Sequence, residues 1–384
     1  MSFSLYVHIP WCQSKCPYCD FNSHAASSWP EAQYSRALIS ELEYRASTPA
    51  YSGQRVRTIF FGGGTPSLFD PKSIAEIIDA ADRLCGIEHD GEITLEANPG
   101  TVDLAKLRGM QAAGVNRISF GAQSFNPATL KFLGRIHSAD ETRAAARMAH
   151  RAGFARLNLD LIFAVPGQTV ADVLFDIESV AALEPDHVSA YNLTFEEGTA
   201  FFTDLKRGRI KPLATDEQAA MYQTVREEIP RRGYAMYEIS NYASPGHEAR
   251  HNLTYWRAQT YLGIGAGAHS YAGDGRGGER KRWWNEKLPA RYISAIEERE
   301  NAETGAETID EATAQSEFVF LNLRLRKGFA LADFHDRFGR NFECIFGAVA
   351  TPLFNNGLLT LDGGRVKLTD RGLEMADSVF AEFV

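Results

Sequence analysis

Between residues 5 and 192 short β-rich runs alternate with longer segments of helical apolar spacing, and this alternation constrains the fold more than any other feature. Residues 5–9, 56–61, 92–96, 117–120, 157–163 and 187–192 have strand character, whereas 31–45, 71–85, 102–113, 139–152 and 170–183 carry apolar residues at helical spacing. A strand that returns through a helix to a neighbouring strand builds a parallel sheet with right-handed crossovers. The pattern predicts an α/β fold, an open partial barrel of the (βα)6 kind. The 384 residues, 44% hydrophobic and 23% charged, are enough for one large domain and a small one.

The first predicted strand runs into three cysteines, Cys12, Cys16 and Cys19, in a Cys-x3-Cys-x2-Cys spacing. Four thiolates saturate a [4Fe-4S] cubane, whereas three leave one iron open to an exogenous ligand. Zinc is the alternative, with His24 completing a Cys3His set, but no second Cys or His pair follows at zinc spacing. Disulfides fit poorly with five cysteines and a first ten residues lacking a basic, apolar leader pattern. Cys85 and Cys344 stand alone in apolar patterns and are expected in the core. With reduced thiols and no apolar run near the about 20 residues that span a bilayer, a cytoplasmic protein is expected. A net charge of -9 argues against broad nucleic-acid binding.

Barrel enzymes carry their chemistry at the C-terminal ends of the strands. Here Gly62-Gly63-Gly64-Thr65-Pro66 follows the second predicted strand, Glu96-Ala97-Asn98-Pro99 the third and Gly121-Ala122-Gln123-Ser124 the fourth, while Asp160 lies in the fifth. Three glycines after an apolar strand let the backbone approach a ligand closely. Further on, residues 234–239 suggest another strand, residues 261–270 alternate glycines that mark close backbone packing, and residues 273–282 suggest a mobile loop. The expected division is a barrel at 1–235, a connecting segment at 236–300 and a smaller, mainly helical domain at 301–384. Its hairpin signal at 358–368 and a last helix after Thr369 resemble a winged helix, though without a basic recognition helix.

With these residues in view, the chain resembles the anaerobic coproporphyrinogen III oxidase family of radical S-adenosylmethionine (SAM) proteins, and within it the HemW branch of haem chaperones. The resemblance runs nearly end to end, through Tyr6-Val-His-Ile-Pro-Trp-Cys12, Phe60 to Pro66, Gly121 to Asn126, Gly134-Arg-Ile-His137, Asn158 to Ile162 and Leu262-Gly-Ile-Gly-Ala266. It implies that Cys12, Cys16 and Cys19 hold the cluster and that exchangeable SAM binds its open iron, as ligand or regulator or for the cleavage to a 5'-deoxyadenosyl radical that radical SAM proteins carry out on reduction. It further implies that Tyr6, Tyr18, Gly63, Gly64, Thr65, Glu96, Gln123, Arg135 and Asp160 line the SAM site, with Arg135 clamping the SAM carboxylate.

Two departures weigh against the decarboxylating oxidase. That enzyme has a further cysteine where this chain has Phe21, and a basic N-terminal extension where only five residues precede Tyr6. The segment His251-Asn252-Leu-Thr-Tyr255-Trp256 instead matches the His-Asn-x-x-Tyr-Trp block associated with haem binding in the HemW branch. A histidine is a natural axial ligand and the aromatics suit a porphyrin face. The resemblance implies one haem b per chain, passed to acceptor haemoproteins. Respiratory-chain and membrane-associated acceptors, and a homodimer, are among the candidate partners.

Overall fold

The computed structural model describes residues 2–273 and 280–384. Six parallel strands, β1 (Ser2–Ile9), β2 (Arg55–Gly63), β3 (Ile87–Ala97), β4 (Arg117–Gln123), β5 (Arg156–Phe163) and β6 (His187–Asn192), lie side by side in chain order. Helices α1 (Glu31–Ala46), α2 (Pro71–Cys85), α3 (Leu104–Ala112), α4 (Pro127–Phe132), α5 (Ala139–Ala152) and α6 (Val170–Ala181) supply the crossovers. The six predicted strands and five predicted crossover helices all form; the short helix α4, entered at Asn126-Pro127, was not anticipated. The partial parallel barrel is therefore as expected.

Alternation along each strand sorts the side chains. On β4, Ile118, Phe120 and Ala122 join the apolar layer beneath the helices, while Arg117, Ser119 and Gln123 face a cavity. On β5, Leu157, Leu159 and Leu161 pack outward, and Asn158, Asp160 and Ile162 face in, with Phe163 at the strand end also lining the cavity. The outer layer is thus a conventional apolar core, and the inner wall is polar.

The segment expected as a connector extends this sheet at both edges. After α7 (Ala200–Lys206) and α8 (Thr215–Arg231), β7 (Ala235–Glu238) and β8 (Asn241–Ala243) add antiparallel strands beside β6. Helix α9 (Arg250–Trp256) then crosses beneath the barrel to β9 (Tyr261–Ile264), which pairs parallel with β1. Strands β10 (His269–Ala272), β11 (Arg280–Asn285) and β12 (Glu303–Ile309) continue antiparallel from there, with α10 (Pro289–Arg299) between the last two. The predicted loop at 273–282 lies largely outside the described residues, and Arg280–Asn285 is a strand. The alternating glycines do mark close packing: a Cβ on Gly263 would stand 2.1 Å from the His269 carbonyl oxygen, and one on Gly265 2.6 Å from that of His8.

Three helices, α11 (Glu311–Leu323), α12 (Leu331–Phe338) and α13 (Phe342–Asn355), then pack around a separate phenylalanine-rich core of Phe318, Phe329, Phe334, Phe338, Phe342 and Phe346. Strand β13 (Phe329–Ala330) joins the hairpin β14 (Leu359–Asp362) and β15 (Arg365–Leu368), followed by α14 (Asp370–Glu374) and α15 (Ala376–Ala381). This is the expected helical, winged-helix-like unit. Cys344 corrects the core expectation, because it is exposed. Buried Phe342, Phe346, Ala350 and Leu353 recur along one face of α13 and leave position 344 on the other. Cys85, at the end of α2, packs partly buried against the barrel core.

Candidate functional site

The cysteine loop is held in place by backbone bonds. Trp11–Cys12 pairs with His24–Ala25 in a short parallel bridge, Ala26 N donates to the Cys12 carbonyl at 3.0 Å, and Cys19 N donates to the Cys16 carbonyl at 3.1 Å. Lys15 Nζ donates to the carbonyls of Phe21 and Ser23, both at 3.1 Å. The end of β2 is pressed onto this loop: Gly64 N donates to Ile9 O and Thr65 N to Trp11 O, each at 2.8 Å. A Cβ on Gly63, whose φ is 111°, would meet the His8 ring at 2.5 Å, and one on Gly64 the Trp11 carbonyl oxygen at 2.6 Å. The triple glycine therefore lets β2 close on the cysteine loop, a tighter reason than the predicted approach to a ligand.

Each thiol meets a different partner. Thr65 Oγ1 donates to Cys12 Sγ at 3.4 Å, Arg135 Nη1 to Cys16 Sγ at 3.3 Å, and Cys19 Sγ lies 3.8 Å from Ser23 Oγ. Asn98 ties two of these together, donating to Thr65 Oγ1 at 3.1 Å and accepting from Arg135 Nη2. Gly134, at φ 66°, permits the approach, since a Cβ there would stand 2.7 Å from Pro17. Arg135, expected to clamp a carboxylate, bonds Cys16 and Asn98 in this structure, with its Nε buried and unpartnered.

Burial pushes the Cys12 and Cys19 thiols up, so apo protein holds them protonated. Among the described residues no three His, Cys, Asp or Glu side chains converge on a single metal position. A cubane takes each thiolate at a different iron and asks for wider sulfur spacing. Two of the three thiols already have hydrogen-bond donors aimed at sulfur, which suits thiolate ligation.

The barrel encloses a cavity of about 890 Å³, in the range of cofactor sites. Tyr18, Cys19, Glu96, Gln123, Asp160 and Asn252 line it, as does Phe21. Gln123 holds a left-handed φ of 65° at the irregular end of β4, a strained conformation of the sort that concentrates at functional sites. Burial raises the Glu96 carboxyl to about 8, and the neighbouring Asp160 charge adds to the effect. Asp160 is also raised by burial, although Asn158 Nδ2 donates to it at 2.7 Å and Ser119 Oγ at 3.4 Å. Tyr6 sits inside the barrel, its hydroxyl 3.0 Å from His8 Nδ1.

The His251 block lies at the opposite end of the barrel from the cysteines. Thr254 Oγ1 is 2.8 Å from Ser4 Oγ, His251 Nδ1 is 2.8 Å from Thr58 Oγ1, and His251 N donates to Glu92 Oε1 at 3.1 Å. These bonds make α9 a plug under the strand starts. His251 is 1% exposed, its Nε2 is 2.8 Å from Tyr255 Oη, and burial lowers its pKa to about 3. Both ring nitrogens are engaged, so iron ligation would require leaving one partner. Trp256 lies beneath the Arg324 guanidinium, 4.3 Å from the ring centre, which joins α9 to the C-terminal unit. Of the four block residues only Asn252 lines the cavity.

Some cavity residues went unnoticed in the sequence. Arg117 opens β4, His187 and Ser189 lie on β6, and residues 373–378 of the C-terminal unit also line the space. The first three stand at inward positions of their strands, a signal that strand periodicity already carried. The last depends on tertiary packing alone.

The model for the radical SAM superfamily matches residues 6–180, and that for the HemN C-terminal domain matches residues 309–374. The heme chaperone HemW of Lactococcus lactis is 34% identical over 99% of this chain and 97% of its own, and that of Bacillus subtilis 34% over 99% of each. The Escherichia coli heme chaperone HemW is 43% identical over 69% of each chain. The coproporphyrinogen III oxidase (HemN) of Escherichia coli superposes with a TM-score of 0.84 over all of this chain and 90% of that one, at 24% identity, a likeness of fold. Matches that run the length of the chain, over a barrel that presents three separate cysteines at its upper rim, place it in the HemW family of radical SAM proteins.

Proposed function

We propose that this chain is a haem chaperone: it binds one haem b, holds a [4Fe-4S] cluster on Cys12, Cys16 and Cys19 with exchangeable SAM at the open iron, and passes haem to acceptor haemoproteins. The observation that carries this reading is the full-length likeness to proteins named as heme chaperones. The cavity supports it, because its roughly 890 Å³ reaches from Cys19 at one end to Asn252 at the other. Cys16 and Cys12 would bind iron while keeping the Arg135 and Thr65 donors, which offset the charge of thiolate sulfur. Tyr18, Glu96, Gln123 and Asp160 would face SAM, with Tyr6 and the Gly63-Gly64-Thr65 turn supporting them. When bound, cluster and SAM supply one-electron chemistry.

On this reading His251 and Tyr255 act through the floor they hold together, Asn252 lines the cavity that would take haem, and Trp256 packs on Arg324 of the C-terminal unit. The domain limits 1–235, 236–300 and 301–384 are kept as functional regions, although the middle one and residues 303–309 of the last share the barrel's sheet. A reducing, cytoplasmic setting suits the three unpaired thiols, and no described helix is long and apolar enough to cross a membrane. Anaerobic haemin titration of the reconstituted protein, followed in the Soret band, tests the reading. Saturation near one haem per chain is expected. Unsaturable binding, together with SAM-dependent decarboxylation of coproporphyrinogen, would replace it with the oxidase reading.

A further inference from the structure

We propose that Arg117 is a carboxylate-binding residue on the barrel floor, and that the ligand taken into the cavity carries a carboxylate that pairs with it. The inference rests on the haem reading for the identity of that ligand, whose propionates are the carboxylates in question.

Arg117 is the first residue of β4, 3% exposed, and lines the cavity. Among the described residues its guanidinium has neither a hydrogen-bond acceptor nor a salt-bridge partner. A buried cation left in this condition is costly, and buried arginines are ordinarily paired. The nearby acids do not supply the pair. Asp160 is engaged by Asn158 and Ser119, and Glu96 accepts from the Gly63 backbone. Both feel the Arg117 charge without a contact to it. His187, the next polar group on the floor, has its two nitrogens 2.6 Å from Asn158 Oδ1 and 2.9 Å from Tyr237 Oη. The side-chain amide of Asn252, which lines the same cavity from α9, likewise has no hydrogen-bond partner among the described residues.

A fork of five N–H donors with no protein acceptor, facing the cavity, is matched by a planar carboxylate taken bidentately. Arg117 stands at the start of its strand and Gln123 at the end nearer the cysteines. A ligand held by Arg117 therefore extends the length of the inward row toward the cluster. Small ligands confined to the strand ends, including SAM, would leave it unpaired.

The test compares haemin with haemin dimethyl ester, which lacks free carboxylates, on the reconstituted full chain and on Arg117→Gln and Arg117→Lys. The parent is expected to bind the diacid at least about tenfold more tightly than the diester, in line with a charge-assisted hydrogen bond. Arg117→Gln should erase that preference and Arg117→Lys keep part of it. A second readout needs no haem: sodium propionate, against sodium chloride at equal ionic strength, should raise the melting temperature of the parent and not that of Arg117→Gln. A parent that binds no haem but shows the propionate shift removes the haem identity and keeps the carboxylate site. No preference for the diacid and no propionate shift in the parent overturns the inference, even if Arg117→Gln fails to fold.

Discussion

Cys12, Cys16 and Cys19 differ in what holds them, and the differences set what single substitutions do. Cys16 faces the Arg135 guanidinium at 3.3 Å; Cys16→Ser removes an iron ligand and should take the reconstituted protein from about four irons per chain to near none. Iron analysis checks this, and a variant that kept its iron would contradict the cluster assignment. Gly64→Ala places a methyl against the Trp11 carbonyl and should cost about 1–3 kcal/mol in urea unfolding of the apo protein. Glu96 gives a pH signature. Its carboxyl is raised from 4.5 to about 8, so the folded protein holds a proton the unfolded chain has released. Its contribution to stability is fully present below pH 4.5, declines as pH rises toward about 8, and is flat above. Glu96→Gln should remove that slope from a series of apo-protein melts.

At the scale of elements, the barrel was legible because each strand and crossover helix carries its own period, 2 or 3.6 residues, and because turn residues bound it. Pro71–Cys85 and Ala139–Ala152 form over the residues expected, opened by Asp70 and Ser138 as N-caps. The strands flanking the barrel were harder to see, since four-residue strands such as Tyr261–Ile264 hold too few alternations to carry a period. The cysteine spacing marked one end of the barrel, but nothing local in the His251 block reveals that α9 plugs the other end. That role follows from contacts to Ser4, Thr58 and Glu92, all more than 150 positions away. His251→Ala leaves the Thr58 and Tyr255 hydroxyls facing a void, and should destabilise haem-free protein by about 1–3 kcal/mol in denaturant titration. An unchanged midpoint would show that the ring is not a structural plug, and would favour a direct role toward iron.

In the whole molecule, the cavity is bounded by three separate parts of the chain: the strand ends with the cysteine loop, the α9 floor, and residues 373–378 of the C-terminal unit. The last is anchored by Arg226, which is bonded to Asp370 at 2.8 Å and to Glu374 at 3.2 Å. Arg324 on the same unit reaches across to Trp256 and Phe380. A ligand that fills this space must pass one of these boundaries on entry and release, and the exposed Phe21 beside the cysteines offers apolar surface along the rim. A chaperone is defined by delivery, so the most direct measurement follows haem leaving. Haem-loaded protein is mixed with a haem-free b-type haemoprotein, with an excess of a high-affinity haem scavenger present, and the acceptor's own Soret band is recorded. The acceptor is expected to fill faster than the scavenger alone can strip haem from the chain. Filling only in the absence of scavenger would mean that haem escapes through solvent, and would contradict a chaperone.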